Sequence, residues 1–280
     1  MNIKDLISKE YEKVSPAIVT QLQQSQDTKL QSFEEFCMRY ARLCLLGMPN
    51  VTDPNPGFIT KEITDTLDTS CPEYSPEDIT EISLRIQKYQ GTGYFGFFGR
   101  VFSSLVNTHH AKTGYDGEYL IITRHLENEL FNLGYKNTGN VRILGNTGTN
   151  VCERMEAGKC IIQGNVGSLG REMKGGTIVV ENDVEGECGT YMENGTITVE
   201  GNVKRSIGHG MQNGTIIVKG SAGGIGEYQR GGTVKLYGAY DYLANSFHSG
   251  KIYQYDKLIF STWKRRIKKY KRDWIDRDEY

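Results

Sequence analysis

The side chains able to do chemistry are few and scattered. Gly91-Thr92-Gly93-Tyr94-Phe95-Gly96 matches the GxGxxG spelling of a phosphate-cradling loop, whose glycines let the backbone approach a pyrophosphate at a helix N-terminus. That fingerprint must follow a strand and open a helix, whereas Ile79–Tyr89 just upstream spells a helix. The segment therefore reads as an aromatic loop that docks on the rest of the protein or on a partner. His109, His110, Asp116 and His125 carry groups that ligate metals or exchange protons. Neighbouring histidines on a helix point apart, and this spacing supplies no shared focus. His109, His110 and His125 stand as the candidates for an acid–base site, with no metal expected. Six cysteines, at positions 37, 44, 71, 152, 160 and 188, include no CxxC pair, which argues against a zinc ribbon or a four-cysteine cluster. In a chain that opens MNIKDLISKEYEKV, without the pattern of a signal peptide, they read as reduced thiols. No cofactor is expected.

Three regions must position these groups. Residues 1–135 read as a mainly helical domain. Phe33, Phe36, Cys37, Tyr40, Ala41 and Cys44 recur at three- and four-residue spacing, the stripe of an amphipathic helix. Ser75-Pro76-Glu77-Asp78 offers an N-cap, a proline in the first turn and an acid three residues on, ahead of Ile79, Ile82 and Ile86. A further helix is expected over Glu118–Leu133, from Tyr119, Ile122, Leu126, Leu130 and Leu133, with Gly134 as its C-cap.

Glycine occupies 33 of 280 positions, well above the roughly 7% of an ordinary domain. Glycines at 139, 158, 176, 195, 214, 232 and 250 each open a similar segment, at intervals of 19, 18, 19, 19, 18 and 18. Side chains alternate within these segments. Val141, Cys160, Ile178, Ile197, Ile216, Val234 and Ile252 form one inward column, and Ile143, Ile162, Val180, Val199, Val218, Leu236 and Gln254 form the next. Asn140, Lys159, Thr177, Thr196, Thr215, Thr233 and Lys251 form a polar column on the opposite face. Period-two alternation inside a fixed longer period describes stacked coils of parallel strand. A coil of this length has a perimeter of about 60 Å at ~3.3 Å per residue, right for a three-sided β coil. Three residues before the opening glycines from Gly158 on, Met155, Met173, Met192, Met211, Gln229 and Phe247 supply a second inward wall, and seven before them Val151, Leu169, Cys188, Ile207, Ile225 and Leu243 a third. Cys188 accordingly reads as a packed thiol rather than a nucleophile. Residues 136–256 are thus expected to form a parallel β-helix of about seven rungs.

Residues 257–280 complete the chain as a basic amphipathic tail. Trp263, Ile267, Tyr270 and Trp274 share one helical face, a capping stripe for the open end of the β-helix. Lys264, Arg265 and Arg266 begin a run of positive charge that reads first as a solvated face and second as a contact for an acidic partner. The fold class is α+β: helical domain, β-helix, capping helix.

Across residues 137–256, the segment GNVGSLGREMKGGTIVVENDVEGECGTYMENGTITVEGNVKRSIGHGMQNGTIIVKG resembles the glycine-repeat (GXGXG) domain. That domain is shared by the C-terminal part of glutamate synthase large subunits and by one of the subunits of formylmethanofuran dehydrogenase. Gly170, Gly189, Gly208 and Gly226 occupy its internal glycine column, with Cys152 and Ala244 in the flanking coils. The resemblance implies a right-handed β-helix that supports other catalytic units and carries no catalytic residue of its own. The nucleophilic cysteine that opens a glutamate synthase glutaminase domain has no counterpart at Met1-Asn2.

The expected function follows. The chain reads as a non-catalytic β-helix scaffold or subunit-docking protein, cytoplasmic, associating with protein subunits or with itself. Ile161, Val179 and Ile217 fall on the outside of the repeated strands, an apolar patch that wants a cover. The alternative is an amidotransferase- or oxidoreductase-associated enzyme with its site between the helical domain and the β-helix. A nucleic-acid module using the basic tail is a third possibility, opposed by a net charge of −1. No apolar stretch approaches the ~20 residues of a membrane span, so no membrane contact is expected.

Overall fold

The computed structural model of the protein describes residues 74–89 and 98–261. The expected helix around Phe33–Cys44, the Gly91–Gly96 loop, and the tail with Lys264, Arg265, Arg266 and its aromatic stripe lie outside the described residues.

Helix α1 (Pro76–Arg85) begins where its sequence says it should. The Asp78 amide donates to Ser75 Oγ at 3.2 Å and the Ser75 amide donates to the Asp78 carboxylate at 2.9 Å, so two amides orphaned by the first turn are satisfied reciprocally. A short 3-10 turn (Ile86–Tyr89) follows. Helix α2 (Phe98–Thr113) buries Val101, Phe102, Leu105 and Val106.

The rest is a parallel β-solenoid of about seven turns. Its long sheet runs β1 (Glu118–Ile122), β2 (Asn140–Leu144), β3 (Lys159–Gln163), β4 (Thr177–Val180), β5 (Thr196–Val199), β7 (Thr215–Val218), β9 (Arg230–Leu236), β11 (Ser249–Gln254) and β12 (Lys257–Ser261). A second, shorter sheet stacks β6 (Val203–Ile207), β8 (Ala222–Ile225) and β10 (Tyr240–Leu243). Neighbouring rungs keep the register set by the opening glycines: Ile178 faces Ile197, which faces Ile216, which faces Val234. The two columns expected to point inward are buried along their length except at Gln254, which is half-buried at the last rung, and Met155, Met173, Met192 and Met211 are fully buried. A further buried column, Val166, Val184, Val203 and Ala222, runs along the start of the second sheet, Val203 opening β6 and Ala222 opening β8. Leucines, valines and isoleucines repeated at one rung spacing form a continuous strip of core with no cross-chain mixing.

Two boundaries move. The helix expected over Glu118–Leu133 is instead β1 followed by turns, and β1 pairs in parallel with β2 from Glu118↔Asn140 to Ile122↔Leu144. The solenoid therefore starts at Glu118 rather than 136, one coil earlier. Tyr119 and Ile121 are the inward strand positions of that coil, while Leu130 and Leu133 are buried on its other side. At the far end, β12 does not begin a tail. It folds back antiparallel on β11, so the last strand of the long sheet runs against all the others.

The corners are set by backbone chemistry. Gly170, Gly189, Gly208 and Gly226 have φ between +66° and +73°, and Cys152 holds the same column at +54°. Only glycine adopts that region without steric cost. At another corner each rung caps the next: Asn146 Oδ1 accepts from the Asn165 amide (2.9 Å), Asp183 Oδ1 from the Asn202 amide (2.7 Å), and Asn202 Oδ1 from the Ser221 amide (2.8 Å).

Candidate functional site

The three candidate histidines are held separately. His109 lies in the C-terminal half of α2, with Nδ1 2.8 Å from the Tyr119 hydroxyl. Tyr119 is fully buried on β1, and burial raises its pKa far above that of a free phenol, which keeps its hydroxyl protonated in this contact. His110 Nδ1 instead meets the Tyr115 carbonyl at 2.8 Å. His125 sits in the turn after β1 beside the backbone of Ser83 and Leu84, and both its ring nitrogens are shut off from solvent without a hydrogen bond of ordinary geometry. Burial lowers its pKa, an effect those backbone groups offset only in part. Each imidazole therefore has its own surroundings, and the structure does not bring the three to one point. Among the described residues no group of three or more histidine, cysteine, aspartate or glutamate side chains could hold a metal ion.

The thiols are core atoms. Cys152, Cys160 and Cys188 are fully buried and free. Burial pushes the Cys188 thiol up to about 12, and the adjoining Cys160 thiol, with burial, raises that of Cys152. A thiol so shifted is not a thiolate near neutral pH.

A shallow groove runs along the corner of the opening glycines, past Gly176, Gly195 and Gly214 and the hydroxyls of Thr196 and Thr215 to Lys251. Its described lining contains no carboxylate, imidazole or thiol, so it lacks the acid–base pair that hydrolytic or transfer chemistry needs.

The outer face of the long sheet carries the predicted apolar stripe. Ile161 lies beside Val179, then come Thr198 and Ile217, all in direct register and all half-buried. Arg142 and Lys235 close the stripe at its two ends. Across the strands, Thr177, Thr196, Thr215 and Thr233 flank it with hydroxyls, and Glu181 and Glu200, both exposed, stand at the opposite border. The described helices pack at the β1 end, α1 against β1 and α2 against the turn that follows it.

One corner, buried at its α2 end and exposed at Tyr191 and Tyr228, escaped the sequence. Along it, Arg100 of α2 lies over the Tyr135 ring at 3.4 Å, Arg154 binds Glu172 at 2.8 Å, and Arg171 reaches toward Tyr191. Tyr191, His209 and Tyr228 then meet edge to face at 5.5 Å between ring centroids. Arg154, Glu172, Tyr191 and Tyr228 all have φ between +53° and +55°, where residues with a Cβ are uncommon. Residue type gives no warning of that backbone, since none of the four is a glycine or an asparagine.

No family model matches the chain and no curated protein matches it. Among the described residues no helix is long and apolar enough to cross a membrane.

Proposed function

We propose that the protein is a non-catalytic β-helix scaffold of the glycine-repeat type, related to the C-terminal domain of glutamate synthase, which holds a protein partner on the outer face of its long sheet. Residues 1–73 belong to this reading as a helical docking region, residues 262–280 as the closure of the far end, and the cytoplasm as the place of action. The observation that carries it is the register of Ile161, Val179 and Ile217, an apolar line between a hydroxyl column and a carboxylate border. A regular apolar line on a rigid sheet favours a partner whose own surface is straight. Burying a fully exposed side chain of this kind contributes about 1.5–3 kcal/mol; these three are already half-buried, so covering each adds only a part of that, and the gain comes from the line as a whole. The separate hydrogen bonds of His109 and His110 and the polar lining of the groove favour this reading over an enzyme.

The test is the full-length double variant Val179→Lys with Ile217→Lys. If another chain covers the stripe, light scattering shows a lower mass than wild type while circular dichroism keeps the β spectrum. If the chain's own N-terminal region covers it, the variant remains monomeric and melts at lower temperature. An unchanged mass together with an unchanged melting temperature overturns the reading.

A further inference from the structure

Successive coils round one corner through a residue whose amide donates to the next coil: Arg154 to the Arg171 carbonyl at 2.8 Å, Glu172 to Thr190 at 2.9 Å, Tyr191 to His209 at 2.7 Å and Gly210 to Glu227 at 2.7 Å. Arg154, Glu172, Tyr191 and, further on, Tyr228 hold this left-handed backbone with a side chain in place, so the conformation does not by itself call for glycine at 210. The missing side chain makes room instead. A Cβ on Gly210 would lie 2.4 Å from Cδ1 of Tyr191, far inside the roughly 3.5–4.0 Å of ordinary carbon contact. The Tyr191 ring occupies that gap and meets His209 edge to face, and His209 in turn meets Tyr228 in the same way. Tyr191 and Tyr228 remain 41% and 49% exposed. Rings held in a fixed row and left in water form a platform for a ligand rather than a piece of core.

We infer that this corner binds an uncharged carbohydrate chain, with pyranose rings lying on Tyr191 and Tyr228. The charges beside the rings select that chemistry, because they are paired with one another. Arg154 Nε and Arg171 Nε both meet the Glu172 carboxylate, at 2.8 and 3.4 Å, and Glu227 Oε2 stands 3.4 Å from His209 Nδ1. A polyanion would meet Glu172 and Glu227, and a polycation Arg154 and Arg171, so neither finds a surface of opposite sign. Single-stranded nucleic acid also stacks on aromatic rings, but its backbone needs a positive groove. Hydroxyls need only donors and acceptors, which guanidinium and carboxylate groups supply, and the negative ring face of tyrosine attracts the weakly positive C–H bonds of a pyranose. Geometry agrees. Tyr191 and Tyr228 hold the same corner position two coils apart, about 10 Å at ~4.8 Å per coil, a straight spacing suited to an extended chain of linked rings. The corner lies outside the long sheet, so the inference stands whether or not a protein occupies the outer stripe.

Isothermal titration calorimetry of the full-length protein with cellohexaose, xylohexaose and N-acetylchitohexaose tests it. At least one should bind, with an affinity little changed by added salt. Tyr191→Ala and Tyr228→Ala should each weaken that binding by about tenfold, the size of one stacked aromatic contact. Gly210→Ala, which displaces the Tyr191 ring, should do the same, while Thr198→Asp on the outer sheet leaves affinity unchanged. Circular dichroism confirms that each variant keeps the β spectrum, and the two exposed tyrosines decide the matter if Gly210→Ala does not fold. Failure of all three oligosaccharides to bind overturns the inference. Binding undiminished in folded Tyr191→Ala and Tyr228→Ala places the sugar elsewhere and overturns it too. Tighter binding of a thymidine oligonucleotide that weakens steeply with salt assigns the rings to nucleic acid and is equally fatal.

Discussion

The Ser83 hydroxyl, on a helix, accepts a hydrogen bond from the Ile122 amide, on a strand, at 3.0 Å. It donates in turn to the Thr80 carbonyl at 2.6 Å, and Thr80 Oγ1 lies 2.9 Å from the Leu120 carbonyl. Helix α1 thus lends side-chain hydroxyls to the edge of β1, replacing the ladder that a preceding strand would have supplied. The first coil is held by polar pairing as well as by packing, which keeps its buried backbone groups satisfied.

Ser83→Ala should therefore destabilise the protein by about 1–3 kcal/mol, the usual cost of leaving a buried amide unpaired. Ser83→Thr, which keeps the hydroxyl, should lose less. Urea unfolding of the two variants, compared at constant m-value, decides the matter.

Gly189 and Gly208 share the left-handed corner column but not the same surroundings. A Cβ on Gly189 would collide with Ile216 Cδ1, whereas on Gly208 its nearest neighbours lie at an ordinary 3.5 Å. Gly208→Ala should cost about 1–2 kcal/mol from backbone conformation alone, and Gly189→Ala more, by an overpacking penalty of about 1–3 kcal/mol. Valine at Gly189 should be worse still. Equal melting temperatures for the two alanine variants would show that the isoleucine moves aside freely.

His125 gives the folded state a dependence on acid. Its folded pKa is lowered by burial, so below the ordinary histidine value of about 6.5 the unfolded chain binds a proton that the folded chain resists. The contribution is fully present above that value and is lost as pH falls from it toward the folded pKa. His125→Phe should flatten the fall of stability across that window and leave stability at alkaline pH with little pH dependence from this site. Melting temperatures measured from pH 8 down to pH 5 supply the comparison, and parallel curves would remove His125 from the account.

Cys152, Cys160 and Cys188 should resist alkylation by iodoacetamide at neutral pH in the folded protein and react together in denaturant, because all three are buried out of contact with reagent and the thiols of Cys152 and Cys188 are held protonated as well. Peptide mapping after alkylation tests this. Labelling of Cys188 in native buffer would reveal opening of the coil around it.

The solenoid was legible because its information is repeated. The opening glycines, the polar residue after each and the inward apolar residues recur every 18 or 19 positions, and register between rungs follows directly from that spacing. The first coil escaped for a physical reason. It is longer than the others, with 22 residues from Gly117 to Gly139, and its apolar side chains must reach three walls in turn. Tyr119, Ile122, Leu126, Leu130 and Leu133 therefore fall at helix-like intervals although Tyr119 and Ile122 lie on a strand. The hydroxyl cap of Ser83 and Thr80 was invisible because serine and threonine inside a helix signal nothing about which edge they face. The aromatic and charged corner was hidden likewise, since Arg154, Glu172, Tyr191 and Tyr228 adopt a backbone usually left to glycine. Ile161, Val179 and Ile217 could be put on one face from period-two alternation alone, and they share one register there, with Thr198 between Val179 and Ile217.

In β4, β5 and β7 one four-residue unit recurs without a slip: Thr177-Ile178-Val179-Val180, Thr196-Ile197-Thr198-Val199 and Thr215-Ile216-Ile217-Val218. Excising residues 196–214 would join Gly195 to Thr215 and place β7 against β4 in the register β5 now holds, with both ends of the molecule unaltered. Length along the axis is thus quantised, in steps of one coil or about 4.8 Å. The molecule is a ruler whose graduations can be added or removed whole, and the distance between anything bound at its two ends is written in the number of times a single phrase of sequence is repeated.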